Sequence, residues 1–429
     1  MKRKITGILA AIVASMSLCS AASAFTLDEK GVPEAEGERS VILVISDLHL
    51  GADDSYSENV ANRPHLEKFL TAVRESTDVK ELVLAGDMID EWFIPAGKDT
   101  YEGASQKEFV RRIAENNKEV FDAFRAIIGD GKIKVTYVPG NHDLLISPEN
   151  MEAVLPGISQ ARDVRGLGTY SPEEHPEIAI EHGHRYNFFC APDPISNREA
   201  APGSILPPGY FFTRVATLSV VQGHPTPGYS PPEVAPNSLG EDQELVYLYW
   251  KDWKWLSGLM KIKEGFDDKI ITTNIDGFTE RYSLADLFPY QSEPGGVIDM
   301  KLYRGIEKTW DERQRLNGVG VNIPARRVIE GAALASELDS QAEYQYFQNP
   351  ESNKRIVVFG HSHEPRLIPS KTQAGQDAVY VNTGTWIDRN SMPTMTFAAI
   401  LPKKDGQFVG LYRYTPEGLI EKMNSAELQ

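Results

Sequence analysis

The chain has 429 residues and only two cysteines, Cys19 and Cys190. Cys19 lies in an N-terminal stretch that reads as a removable leader, so the mature chain keeps one cysteine, and one cysteine closes no internal disulfide. The fold must rest on an apolar core or on bound metal. Basic residues are in deficit: 44 Lys and Arg against 61 Asp and Glu leave a formal charge of −17. That balance disfavours a nucleic-acid polymer as partner, because such binding relies on cationic side chains neutralising phosphates. It does not exclude a small phosphorylated ligand, since bound cations can reverse the local field. No low-complexity tract and no internal repeat is visible. No G-x-S-x-G element marks a serine nucleophile.

The only long apolar run is at the N-terminus. Lys2, Arg3 and Lys4 precede the stretch from Ile5 to Leu18, and Ala22-Ser23-Ala24 supplies a small-residue cleavage site. We read 1–24 as a signal peptide, with the mature chain starting at Phe25. The apolar run is short for a membrane span of about 20 residues, and Leu18 is too bulky to precede a lipid-modified cysteine. The expected location is periplasmic or secreted, with no stable membrane span after cleavage. Residues 25–39 read as a loose acidic leader.

The core pattern begins at Val41-Ile42-Leu43-Val44-Ile45-Ser46-Asp47-Leu48-His49. A continuous apolar run predicts a strand buried on both faces, and at its end Asp47 and His49 are placed to point the same way. Pro64 opens a helix with Leu66, Phe69, Leu70 and Val73 at helical spacing. Residues 81–85 predict a second strand ending in Gly86-Asp87. A long helix is expected over 105–128, then a strand at 134–138 running into Pro139-Gly140-Asn141-His142-Asp143. Residues 178–180 predict a strand ending in Glu181-His182-Gly183-His184. Alternating strands and helices imply a mostly parallel sheet, whose ligands sit beyond the carboxyl ends of the strands.

The pattern then breaks. Residues 191–240 are dense in Pro and Gly and read as an irregular wrapping segment. A helix carrying Tyr247, Tyr249, Trp250, Trp253 and Trp255 is expected over 241–263, with more helix near 304–316 and 324–347. Strands resume at 355–359, ending in Gly360-His361-Ser362-His363, and at 378–381. A terminal hairpin follows, from Thr394 to Leu401 and from Gln407 to Tyr414, turning at Lys404-Asp405-Gly406. Residues 191–350 are therefore expected to form a largely helical, cap-like insertion in a core made of 40–190 and 351–415.

Five of the nine histidines, His49, His142, His182, His361 and His363, join Asp47, Asp87 and Asn141 as candidate donors in the strand-end clusters. Carboxylate and imidazole donors without cysteine suit Mn, Fe or Zn in a reactive rather than a structural site. Two such ions can clamp a phosphate and activate water, and Asp87 is the natural carboxylate to share between them.

The ordered blocks D-L-H, G-D-x-x-D, G-N-H-D, H-G-H and G-H-S-H resemble the calcineurin-like metallophosphoesterase superfamily, over about 220 residues of core. The resemblance implies a four-layer α/β/β/α sandwich and a phosphoric ester hydrolase with two divalent ions. It implies that Asp47, His49 and His363 bind the first ion, that Asp87 bridges, and that Asn141, His182 and His361 bind the second. It implies hydroxide held on the ions as the nucleophile, and His142 as the acid that contacts phosphate and protonates the leaving group, with Asp143 orienting its ring.

Two departures narrow the subgroup. Glu91 stands where protein serine/threonine phosphatases carry a phosphate-gripping arginine. The Asp90-Glu91-Trp92 ending is similar to UDP-diacylglucosamine pyrophosphohydrolases, the alternative reading, but those typically carry Arg at the position of His142 and act in the cytosol. An inactive metal-binding scaffold of the same fold is a further alternative, against which stands the complete ligand set. Arg185, three residues past His182, is expected to make a forked contact with substrate phosphate, and His184 to support His182. Because the insertion leaves and rejoins the core beside His182 and His361, it is expected to close over the site and choose the substrate.

Overall fold

Residues Val41–Ile45 form the first strand, β1, and all five side chains are buried. Their alternation divides them between two cores. Val41, Leu43 and Ile45 face a layer of helices, while Ile42 and Val44 face a second sheet. That is why the run is apolar without a break: both faces of the strand are covered, and each fully buried aliphatic side chain contributes about 1.5–3 kcal/mol.

The computed structural model describes residues 39–403 and 406–429. The expected signal peptide, the leader up to residue 38 and the Lys404-Asp405 turn lie outside the described residues. After β1 come α1 (Arg63–Glu75), β2 (Val79–Ala85), α2 (Gln106–Asn116), α3 (Lys118–Asp130), β3 (Lys134–Val138), α4 (Pro148–Val154), β4 (Ser159–Gln160) and β5 (Ile178–Ile180). Residues 191–350 hold α5 (Pro208–Val221), α6 (Glu241–Leu256), α7 (Leu284–Leu287), α8 (Ile306–Leu316), α9 (Ala325–Glu330) and α10 (Ala335–Ala342). Two small ladders lie among them, β6 (Ile271–Thr272) with β7 (Arg281–Tyr282) and β8 (Tyr290–Gln291) with β9 (Ile298–Asp299). The chain ends in β10 (Ile356–Phe359), β11 (Arg366–Lys371), β12 (Asp377–Asn382), β13 (Thr396–Lys403), β14 (Gly406–Tyr414) and β15 (Ile420–Leu428).

One sheet has the order β15-β14-β13-β1-β2-β3-β4 and the other β11-β12-β10-β5. Strands β1 to β4 pair in parallel, as do β5, β10 and β12. Between the sheets lie Ile42, Val44, Val83 and Val138 from one side and Ile180, Val358 and Val381 from the other. The outer face of the seven-stranded sheet packs on α1 to α4. The outer face of the four-stranded sheet, through Val357, Phe359, Ala378 and Tyr380, shares one apolar cluster with the helices of 191–350. The helices of 191–350 thus serve as the fourth layer of the α/β/β/α sandwich.

Four local expectations need correcting. The helix expected over 105–128 is two helices broken at Asn117, whose side chain donates to Ile113 O at 2.7 Å and Gly51 O at 2.9 Å. The segment 191–240 is not wholly irregular: Pro208, in the first turn, opens the 14-residue helix α5. Helix α6 stops at Leu256, short of 263. The terminal hairpin gains a third strand, β15, whose polar, mostly exposed side chains suit a sheet edge and hide its pattern.

The shared cluster yields a prediction. Deleting 200–345 should strip cover from Val357, Phe359, Ala378 and Tyr380, and the truncated chain should show no cooperative thermal transition by near-ultraviolet circular dichroism.

Candidate metal centre

Each strand of the parallel core stops at the same end of the molecule, and the polar groups follow directly. Asp47 and His49 follow β1, Asp87 follows β2, Asn141 and His142 follow β3, His182 follows β5, and His361 and His363 follow β10. The first five come from the seven-stranded sheet and the last three from the other, so the site lies where the two sheets meet. Five of these residues, Asp47, His49, Asp87, His361 and His363, have φ between 46° and 70°. Non-glycine residues rarely adopt that left-handed region, at a cost of about 1–3 kcal/mol each, and such strain gathers at functional sites. Here it is held by cross-links between the loops: Asp47 N donates to Gly86 O and His49 N to Asp87 O, both at 3.0 Å.

Two groups of donors converge. Ligand atoms of Asp47, His49 and His363 lie within 4.8 Å of one another, as do those of Asp87, His182 and His361. The groups meet at Asp87, whose Oδ2 is 3.7 Å from His49 Nε2 and 3.2 Å from His182 Nε2. Its other oxygen accepts from His142 N at 2.8 Å. One carboxylate therefore faces an imidazole of each group. Asn141 Oδ1 lies 3.1 Å from His182 Nε2 and joins the second group.

The donor set fits divalent cations. His49 Nε2 and His363 Nε2 approach to 3.1 Å, and Asp47 and Asp87 are buried beside them. Burial opposes ionisation of both carboxyls, but the neighbouring His182, with His363 for Asp47 and His142 for Asp87, holds each well below the usual carboxylate range. Burial lowers His182, but Asp87 and Asp47 outweigh it and lift the ring to about 9. His361 is pushed down to about 3, by burial first and then by the charge on His182. The carboxyls and the His182 ring thus favour one another's charged forms, and divalent ions bound here would compete with protons for the ring nitrogens.

Tautomers are fixed from behind. His182 Nδ1–H donates to Ala85 O at 2.9 Å, which turns Nε2 inward. Asp90 gives one oxygen to each of two rings: Oδ2 accepts from His49 Nδ1 and Oδ1 from His142 Nδ1, both at 2.8 Å. Trp92 stacks on His142 with ring centroids 4.8 Å apart. Three glycines clear the space. A Cβ on Gly86 would overlap the His182 ring, one on Gly140 would overlap Asp87 Oδ1, and one on Gly360 would overlap Asp47 Oδ2. Gly140→Ala should therefore displace the shared carboxylate and weaken Mn²⁺ binding by about 10- to 100-fold, read by titration calorimetry.

A family model for calcineurin-like phosphoesterases matches residues 40–365. The chain belongs to the calcineurin-like phosphoesterase family. It is a phosphoric ester hydrolase, and the family acts on small phosphorylated substrates. Among solved structures, the chain is similar to the single and double mutants of Vps29 from Entamoeba histolytica, at 9% and 8% identity with TM-scores of 0.28 and 0.27. Each alignment covers 91% of this chain and 99% of the other. Scores that low carry no argument about the fold. Comparison with curated proteins gave no match.

Two expected roles in the phosphoesterase change hands. Asp143 does not orient His142: it accepts from Gly140 N at 2.7 Å and Met88 N at 2.8 Å, clamping two loops, and burial with the nearby Asp87 charge raises it to about 6. Asp90 holds the ring instead. Arg185 does not point at the site. Its donors go to Glu181 at 2.9 Å, Asp163 at 3.1 Å, Thr169 at 3.2 Å and Asn317 O at 3.2 Å. It stitches the loop after β5 to the inserted region. His184 is buried beside His182 with both ring nitrogens unpartnered among the described residues. Glu91, at the arginine position of the protein phosphatases, is buried against Tyr101 and Gln106 and raised to about 8 by that burial.

Proposed function

We propose that the protein is an exported phosphoesterase that holds two divalent ions, from among Mn, Fe and Zn, and hydrolyses a small phosphate ester or pyrophosphate. The observation that supports this reading best is the pair of donor groups meeting at Asp87 Oδ2. Asp47, His49 and His363 would hold one ion and Asn141, His182 and His361 the other, with Asp87 between them. When bound, the ions supply an activated water and neutralise charge on the phosphoryl oxygens.

The chain's own groups do the rest. Asp90 fixes a proton on His142 Nδ1, which leaves Nε2 to donate to the departing oxygen. Burial lowers the pKa of His142, but Asp90 and Asp87 outweigh it and raise it above the ordinary imidazole value, which favours the protonated ring that an acid needs. Trp92 limits its rotation. A cavity of about 250 Å³ opens from Asp87, Asn141, His142, His361 and His363 towards apolar side chains, which exclude bulk water from the phosphate.

A panel of phosphomonoesters, phosphodiesters and pyrophosphates, assayed with Mn²⁺, tests the reading. Hydrolysis of at least one class is expected. Two bound ions per chain without any hydrolysis would instead favour a metal-binding scaffold.

A further inference from the structure

The cavity beside the metal centre is walled by the inserted region, and its chemistry is uneven. Helix α5 presents Gly209, Phe212 and Thr213, and helix α6 presents Asp252, Trp255 and Leu256. Both triads have i, i+3, i+4 spacing, which places them on one face of each helix. Gly209 permits the approach of α5: a Cβ there would lie 2.9 Å from Phe189 O and 3.1 Å from the Trp92 ring. Trp253 and Tyr249 of the same α6 are packed in the insertion's own core, so the aromatic run divides between structure and cavity. Trp255 is 60% exposed and keeps ring surface free.

Asp252 is the one charged residue that the insertion gives to this wall, and among the described residues no lysine or arginine lines the cavity. Its Oδ2 is buried and has no hydrogen-bond partner. Burial, and to a lesser degree Glu330, push the carboxyl up to about 7 against the pull of Lys251. An unpaired carboxylate in an apolar wall is costly unless a donor arrives to meet it. A second phosphate or a carboxylate on the substrate would meet no cation there and would be repelled by Asp252. A cationic nitrogen would gain a charge-assisted hydrogen bond and the faces of nearby aromatic rings.

We propose that this cavity selects phosphate esters whose alcohol portion is apolar and bears a cationic nitrogen, with Asp252 receiving that charge. The proposal rests on the phosphoesterase reading above. It is tested with the Mn²⁺-loaded protein at pH 8 and three aryl phosphates of similar size: 4-(2-aminoethyl)phenyl, 4-propylphenyl and 4-(2-carboxyethyl)phenyl phosphate. The amine should exceed the propyl compound in kcat/KM by about tenfold or more, with the carboxylate lowest. In Asp252→Asn the amine-to-propyl ratio should fall towards one, and Asp252→Glu should retain the preference. Equal kcat/KM for all three esters, or a ratio unchanged in Asp252→Asn, would overturn the proposal while leaving the phosphoesterase reading intact. Hydrolysis of none of the three, with another class of the panel cleaved, would overturn the proposal alone; hydrolysis of no class at all would remove that reading and the proposal with it.

Discussion

Asp87→Asn should lower kcat by at least about a thousandfold, since it removes the one carboxylate that faces both donor groups. The amide keeps the shape and can still accept from His142 N, so the strand-end loops should stay in place. What is lost is a negative charge buried between His49 and His182. Thermal melts with and without Mn²⁺ separate the two effects. Saturating ligand at about 100 times its Kd stabilises a folded protein by about 2.7 kcal/mol. The wild-type protein should show that metal-dependent rise in Tm, and Asp87→Asn should show most of it lost while the metal-free Tm stays close to wild type. Full activity in the variant would break the assignment of the shared ligand.

The second large effect concerns proton delivery. His142→Asn should cost about 10²–10⁴-fold in kcat on alkyl phosphates, whose leaving oxygen needs a proton. On p-nitrophenyl phosphate the loss should be much smaller, because that phenolate departs unprotonated. An equal loss on both substrates would assign His142 to phosphate binding alone. Asp90→Asn should share the leaving-group dependence and add a second defect, since Asp90 also anchors His49. Its Mn²⁺ affinity should fall by about 10- to 100-fold, and combining it with His142→Asn should add little further loss in the proton-transfer step.

The candidate donors were legible because a parallel strand ends where its sheet needs no more side chains for the core. A carboxylate or imidazole two residues after Ile45, Ala85 or Phe359 has little structural reason to be there. The parallel strands followed from the same apolar runs, whereas the second sheet was implied only by the family resemblance. What the chain order hid was direction. Asp143 adjoins His142, yet it turns back to the amides of Gly140 and Met88, while Asp90, more than 50 residues earlier, reaches the ring. Arg185 follows His182 closely, but Glu181 four positions before it claims its guanidinium. Helix α5 was masked by the prolines around it and by a nearly uniform apolar face from Tyr210 to Val221. Strand β15 was masked by the opposite cause, since an edge strand facing solvent needs no apolar alternation. Asp252 is invisible in sequence, because only the fold shows that its carboxylate has no hydrogen-bond partner and lines the cavity beside the candidate metal centre.

The central claim is that two ions share Asp87. Crystals grown with Mn²⁺ and measured at the manganese edge test it directly. The account predicts two anomalous peaks per chain, one beside Asp47, His49 and His363 and the other beside Asn141, His182 and His361, with Asp87 in contact with both. A single peak, or two peaks of which only one touches Asp87, would contradict it.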